Sequence, residues 1–255
     1  MKRFKLIACK VFYREICLLS ANSESHIDVT YFQQGLHNTP ERLKSNLQEE
    51  IRRIDAGEDI YSCKPSENLD FDAILIGYGL CSNAICGITS SKYKIVLPRA
   101  HDCITLFLGS KEKYQEYFDS RGGGIYWYTS GWIDNVLMPS QERTDILRKK
   151  YTEEYGEENA EYLMETEQGW LTKYNACTFI DWPELDNKRY IEYTKQSSEY
   201  LHWNFDVLAG DNTLLKKFLN GDWDEDSFLV LEPGQSVEMS HDNDIICCKK
   251  DEENL

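Results

Sequence analysis

The sequence has no long hydrophobic run. Its longest apolar stretches, such as Ala73 to Ile76 and Ile104 to Leu108, fall far short of the roughly 20 residues that a membrane-spanning helix needs. Positive charge is also scarce. Lys and Arg number 28 against 44 Asp and Glu, for a formal net charge of −16. Such a chain repels phosphate backbones and anionic headgroups, so neither nucleic acid nor a membrane is an expected partner. Familiar signatures are missing too. There is no Gly-x-Ser-x-Gly elbow and no His-Glu-x-x-His helix, which removes ordinary serine hydrolases and zincins from consideration. Gly77-Tyr78-Gly79-Leu80-Cys81 lacks both the third glycine of a dinucleotide fingerprint and the Lys-Ser/Thr of a P-loop. An export signal is not expected either. The basic and then apolar N-terminus is interrupted by Lys10 and Arg14 and shows no small-residue cleavage site, so it reads as a first strand.

What is present is an α/β pattern. With 255 residues and 41% hydrophobic content, the chain can bury a core in one large or two small domains, and general disorder is excluded. Apolar runs rich in Val, Ile, Phe and Tyr alternate with amphipathic stretches. This predicts a mainly parallel, Rossmann-like sheet covered by helices. Strands are expected at Phe4 to Ala8, Asp28 to Phe32, Phe71 to Ile76, Lys94 to Leu97 and Ile125 to Tyr128. Leu43, Leu47, Ile51 and Ile54 give one apolar face to a helix opened by Thr39 as N-cap and Pro40. Gln141 to Tyr174 reads as helical, with Gly156 and Gly169 as interruptions. A second series follows, with strands at Thr178 to Trp182, Asp206 to Ala209 and Phe228 to Leu231. The organisation read from this is an N-terminal α/β half over 1–135, a helical segment with a second α/β half over 136–250, and an acidic tail over 251–255. The two halves hint at a pseudo-repeat, without a shared motif.

Ligands of open parallel sheets bind outside the carboxyl ends of the strands. Four unusual segments fall there: Cys9-Lys10, Gln33 to His37, Gly77 to Asn83 and Pro98 to Cys103. His101 and Cys103, one residue apart, would point to the same side of an extended chain and so reach one metal, and zinc favours nitrogen and sulfur donors. Cys81 and Cys9 would complete the set. The bland alternative is a buried Cys103 and a hydrogen-bonding His101, since free cysteines are so often packing residues. Asp102 reads as a second-layer partner or a helix N-cap. Substrate contacts are expected from Tyr78 and Asn83 on the glycine-rich loop, from His37 and Asn38 before a helix N-terminus, and from Arg99. Asn38 with Thr39 as simple caps, and Arg99 in a structural ion pair, are the competing readings. Tyr126, Trp127, Tyr128 and Trp132 read as core more than as a pocket wall. The nine cysteines are odd in number and irregularly spaced, which predicts reduced thiols in a cytoplasmic protein. Cys17 and Cys86 remain further candidates for the site. Cys63, Cys177 and the adjacent Cys247-Cys248 lack suitable neighbours.

The segments Ile7-Ala8-Cys9, Gly35-Leu36-His37-Asn38, Gly77 to Asn83, Pro98 to Ile104 and Leu108-Gly109-Ser110 resemble an uncharacterised prokaryotic family, domain of unknown function 1638. Tyr126 to Trp132 and Gly210-Asp211 also resemble it. The resemblance implies an anaerobic bacterial or archaeal origin and an association with corrinoid-dependent methyl transfer. His101, Cys103 and Cys81 are also similar to the ligands of zinc-dependent methyltransferases, in which zinc lowers the pKa of a thiol substrate. The expected function is therefore metal binding, with zinc, in corrinoid-linked methyl transfer or one-carbon metabolism. The alternatives are a non-catalytic module that binds a corrinoid, a corrinoid protein or another small ligand, and an iron–sulfur or thiol redox protein.

Overall fold

The computed structural model describes residues 1–58, 70–81 and 83–249. Cys63, Ser82 and the acidic tail lie outside these. Two compact units emerge: Met1–Lys111 with Asn212–Leu255, and Glu112–Asp211. The second is thus inserted into the first. These bounds differ from a division near residue 135, because the segment after Asp211 returns to the first unit.

The first unit opens with β1 (Arg3–Cys9), α1 (Tyr13–Ala21), β2 (His26–Phe32), α2 (Pro40–Asp55), β3 (Ala73–Gly77), β4 (Lys94–Pro98) and α3 (Cys103–Leu108). β1, β2, β3 and β4 are parallel. All five residues of β3 are buried, as expected of a parallel strand covered on both faces. The apolar stripe of α2 is fully used: Leu43, Leu47, Ile51 and Ile54 are buried against Ile7, Ile74 and Ile76. Thr39 does not cap α2 through its side chain. Its hydroxyl instead donates to the Leu36 carbonyl at 3.3 Å, closing the preceding turn on itself.

The second unit follows α4 (Lys111–Arg121) with β5 (Ile125–Tyr128), α5 (Ser130–Asn135), α6 (Gln141–Tyr155), α7 (Glu157–Gln168), β6 (Ala176–Asp181), α8 (Lys188–Leu201) and β7 (Asn204–Ala209). Its three strands form a parallel sheet in the order β5-β6-β7. The aromatics of β5 are packing residues. Tyr128 is buried with Cys177 and Phe179, and Tyr126 and Trp132 lie against that cluster.

The chain then returns through α9 (Thr213–Asn220) to β8 (Phe228–Leu231), β9 (Val237–Met239) and β10 (Ile246–Cys248). β8 does not extend the second series. It pairs antiparallel with β4, giving the sheet order β2-β1-β3-β4-β8. Its apolar pattern suits either sheet, and only the tertiary path decides. β9 and β10 form an antiparallel hairpin, so Cys247-Cys248 belongs to a strand. The whole is a mixed α/β fold with a mainly parallel sheet flanked by helices. Among the described residues, no helix is long and apolar enough to cross a membrane.

One charge lies inside the sheet. Lys5 on β1 is 2% exposed, and its ammonium lies 3.1 Å from Asp28, its register partner on β2. Asp28 is a third exposed, so the pair is partly screened by solvent and removing its carboxylate costs about 1 kcal/mol. Asp28→Ala should therefore lower the urea midpoint of the first unit clearly, whereas a change within experimental error would contradict this.

Candidate functional site

From β1 the chain passes to β2 on one side, and from β2 it crosses back to β3 on the other. The connections diverge between β1 and β3, and the crevice at such a switch point is the ligand position of open α/β sheets. Cys9 closes β1 opposite Phe32, and Ala8 faces Gly77. Tyr78 and Cys81 follow on the loop after β3.

That loop is pressed against the loop after β4. A Cβ on Gly79 would lie 2.8 Å from both Cα and N of Asp102, so only glycine permits the approach. Two hydrogen bonds hold it: Leu80 N–H donates to the Ala100 carbonyl at 2.8 Å, and Cys81 N–H to the His101 carbonyl at 3.2 Å. Cys81 itself has φ +46°, the left-handed region that a side chain rarely adopts. On the other loop, the Asp102 carboxylate accepts from Ile104 N–H at 2.9 Å and caps α3, which fixes Cys103 at its first position.

These constraints bring three thiols into electrostatic contact. Burial pushes the Cys9 thiol from its ordinary 9.0 up to about 11. Burial, then Cys9 and Asp102, push Cys81 up to about 12. Cys103 rises well above its ordinary value through desolvation, Asp102, Cys81 and Cys9. All three are neutral thiols at neutral pH, so none is an activated nucleophile in the free protein. Tyr78 completes the group. It is 4% exposed, its hydroxyl has no hydrogen-bond partner, and burial first, then the neighbouring Cys9 and Cys81, disfavour its ionisation. The buried Oε1 of Gln34, in the loop after β2, is also unpartnered. A buried polar group left unpaired costs roughly 1–3 kcal/mol, and it needs an explanation such as an absent ligand or water. Gln34 lies in the Gln33 to His37 segment marked by its place after a strand, although a loop glutamine carries no spacing signal of its own.

The other candidates are placed differently. His101 is exposed. Asp102 between His101 and Cys103 is extended, and the chain turns into α3 at Cys103, which is half-buried while His101 is exposed. Among the described residues, no group of three or more His, Cys, Asp or Glu side chains is placed to hold a metal ion. The donor set thus does not fit zinc as it stands. Arg99 is committed to main-chain carbonyls: its guanidinium donates to Glu225 at 2.9 Å, Asp244 at 3.0 Å and Ile246. His37 and Asn38 are exposed in a turn before α2, with desolvation lowering the His37 pKa. Asn83 is exposed at φ +66° and faces a separate cleft with Lys44.

The sheet order defines a mixed α/β protein, with unpartnered buried polar atoms on the loops after β2 and β3. A family model described as a protein of unknown function, DUF1638, matches residues 31–219. The chain belongs to this family. The matched span contains Tyr78, Cys81, His101 and Cys103, while Cys9 precedes it. No curated protein and no solved structure matches the chain.

The raised thiol pKa values make stability fall with pH. The folded protein keeps protons that the unfolded chain releases above 9.0, so this contribution is complete below pH 9.0 and is lost as pH rises through about 11 and about 12. Thiolate absorbance of the folded protein should appear correspondingly late. Alkylation at about pH 8 should label the exposed Cys17 well before Cys9, Cys81 and Cys103, as read by peptide mass mapping. Equal rates would contradict the partial burial of the cluster. Gly79→Ala should separate the two loops and bring the labelling of Cys81 and Cys103 close to that of Cys17.

Proposed function

We propose that this protein binds a small ligand at the carboxyl edge of its five-stranded sheet. The ligand accepts or donates a hydrogen bond at the Tyr78 hydroxyl and lies against the thiols of Cys9, Cys81 and Cys103. One observation carries the reading: a tyrosine hydroxyl is buried without a partner at the switch point between β1 and β3. Neutral thiols and a phenol suit a ligand with a soft, electron-poor centre. All described cysteines are free, which agrees with a reducing, cytoplasmic setting.

The coupling of three thiols favours a second, narrower reading, a thiophilic metal site serving methyl transfer. Zinc binding there would require Cys81 and Cys103 to lose their protons and a further donor to move in. A corrinoid would bring most of its metal ligands with it and asks less of the protein.

Anaerobically purified protein should carry, or bind saturably, a small ligand that is lost in Cys81→Ser. Elemental analysis, visible absorbance and titration with zinc and hydroxocobalamin would separate the classes. Stoichiometric zinc would select the metal reading. Absorbance of a corrinoid or iron–sulfur group would select a cofactor-carrying module. If the folded Cys81→Ser protein kept the same bound species and affinities as the parent, the thiol cluster would not be the site.

A further inference from the structure

The loop after β3 has a second side. Beyond Cys81 it turns at Asn83 and runs along β9, where Gly87 N–H donates to the Val237 carbonyl at 2.7 Å and Thr89 bridges to Ser236. The Gln48 side chain of α2 grips both N–H and carbonyl of Thr89, at 3.0 and 2.8 Å. These contacts border an open cleft of about 520 Å³, lined by Lys44 of α2, Asn83 and Cys86 of the loop, Glu238 of β9, and Lys249. Ligand pockets for small molecules commonly have volumes of about 300–1,000 Å³.

We propose that this cleft binds a small organic polyanion, a carboxylate or phosphate ester, between the ammonium groups of Lys44 and Lys249. Acidic residues outnumber basic ones in this chain, and several lysines elsewhere are engaged, Lys5 with Asp28, Lys92 with Asp70, Lys94 with Glu232 and Lys217 with Asp224, while Lys2 and Lys111 reach main-chain carbonyls. Lys44 and Lys249 line one cleft, and among the described residues neither has an ion-pair partner, Glu238 included. The Lys44 ammonium is held over the backbone of Gly87, where a Cβ would lie 3.1 Å from Nζ. Asn83, displayed by its left-handed backbone, adds a neutral amide donor. Glu238 on the same wall limits the affinity and favours ligands whose anionic groups sit toward the lysines. The site is separate from the thiol cluster, although one loop carries Cys81 toward the first and Asn83 and Cys86 toward the second.

Calorimetric titration at low ionic strength with citrate and with inorganic phosphate tests this. Saturable binding of citrate alone would identify a carboxylate site, and of phosphate alone a phosphate-ester site. Lys44→Ala and Lys249→Ala should each weaken binding about tenfold, with unchanged circular dichroism. Glu238→Gln should strengthen it, added salt should weaken it, and the ligand should slow alkylation of Cys86. Cys81→Ser should bind the anion like the parent, which keeps this result independent of the thiol site. Absence of binding by either anion, or parent-like affinity in both lysine variants, would overturn the proposal.

Discussion

The loops after β3 and β4 meet backbone to backbone at Gly79 and Asp102. No side chain can stand between them, so the position of one loop dictates the position of the other. Through the pair of hydrogen bonds from Leu80 and Cys81, the crossing sets Cys81 in a left-handed conformation beside α3. The Asp102 cap then places Cys103 at the start of that helix. Without this contact, Cys9, Cys81 and Cys103 would be three unrelated cysteines at three strand ends. With it, they are mutually desolvated neighbours. Backbone strain of the kind seen at Cys81 persists only where the surroundings over-determine it, and it gathers at functional sites.

The free protein carries the cost of this arrangement. Three thiols are kept from ionising, and the Tyr78 hydroxyl and Gln34 carbonyl oxygen are buried unpaired. Such costs persist in functional sites when binding recovers them, since a ligand that satisfies an orphaned group gains what folding gave up. The far end of the same loop is fixed differently, by side-chain bonds from Gln48 and Asp55 of α2 to Thr89, Ser90 and Ser91. The Cys81 segment is therefore held at both ends on rigid elements, as a precise binding position requires.

Much of this was legible in the chain. The parallel strands and α2 follow from periodicity, which depends on residues close in sequence. The four loop segments at the carboxyl edge follow from strand order alone. The partner of β8 was not legible, because Phe228 to Leu231 would suit either sheet and the insertion that separates it from β4 leaves no local mark. The β9–β10 hairpin was also missed. Its strands are three residues each, too short for alternation to register. At the site, residue types pointed to Cys81, Cys103, Cys9 and Tyr78. What they could not give is the exposure of His101 or the partners of Arg99, which come from the distant segments at Glu225, Asp244 and Ile246. Gln34 was marked only as part of its loop segment, since an unpaired buried atom is visible only in three dimensions.

The central claim is that the Tyr78 hydroxyl is kept for a ligand and not for the fold. Tyr78→Phe measures this directly, with denaturant stability of the ligand-free protein and ligand affinity determined side by side. Removing an unpartnered buried hydroxyl should leave stability unchanged or raise it by about 1 kcal/mol, while ligand affinity falls. A loss of stability together with undiminished binding would show that the hydroxyl serves the fold, and would contradict the account.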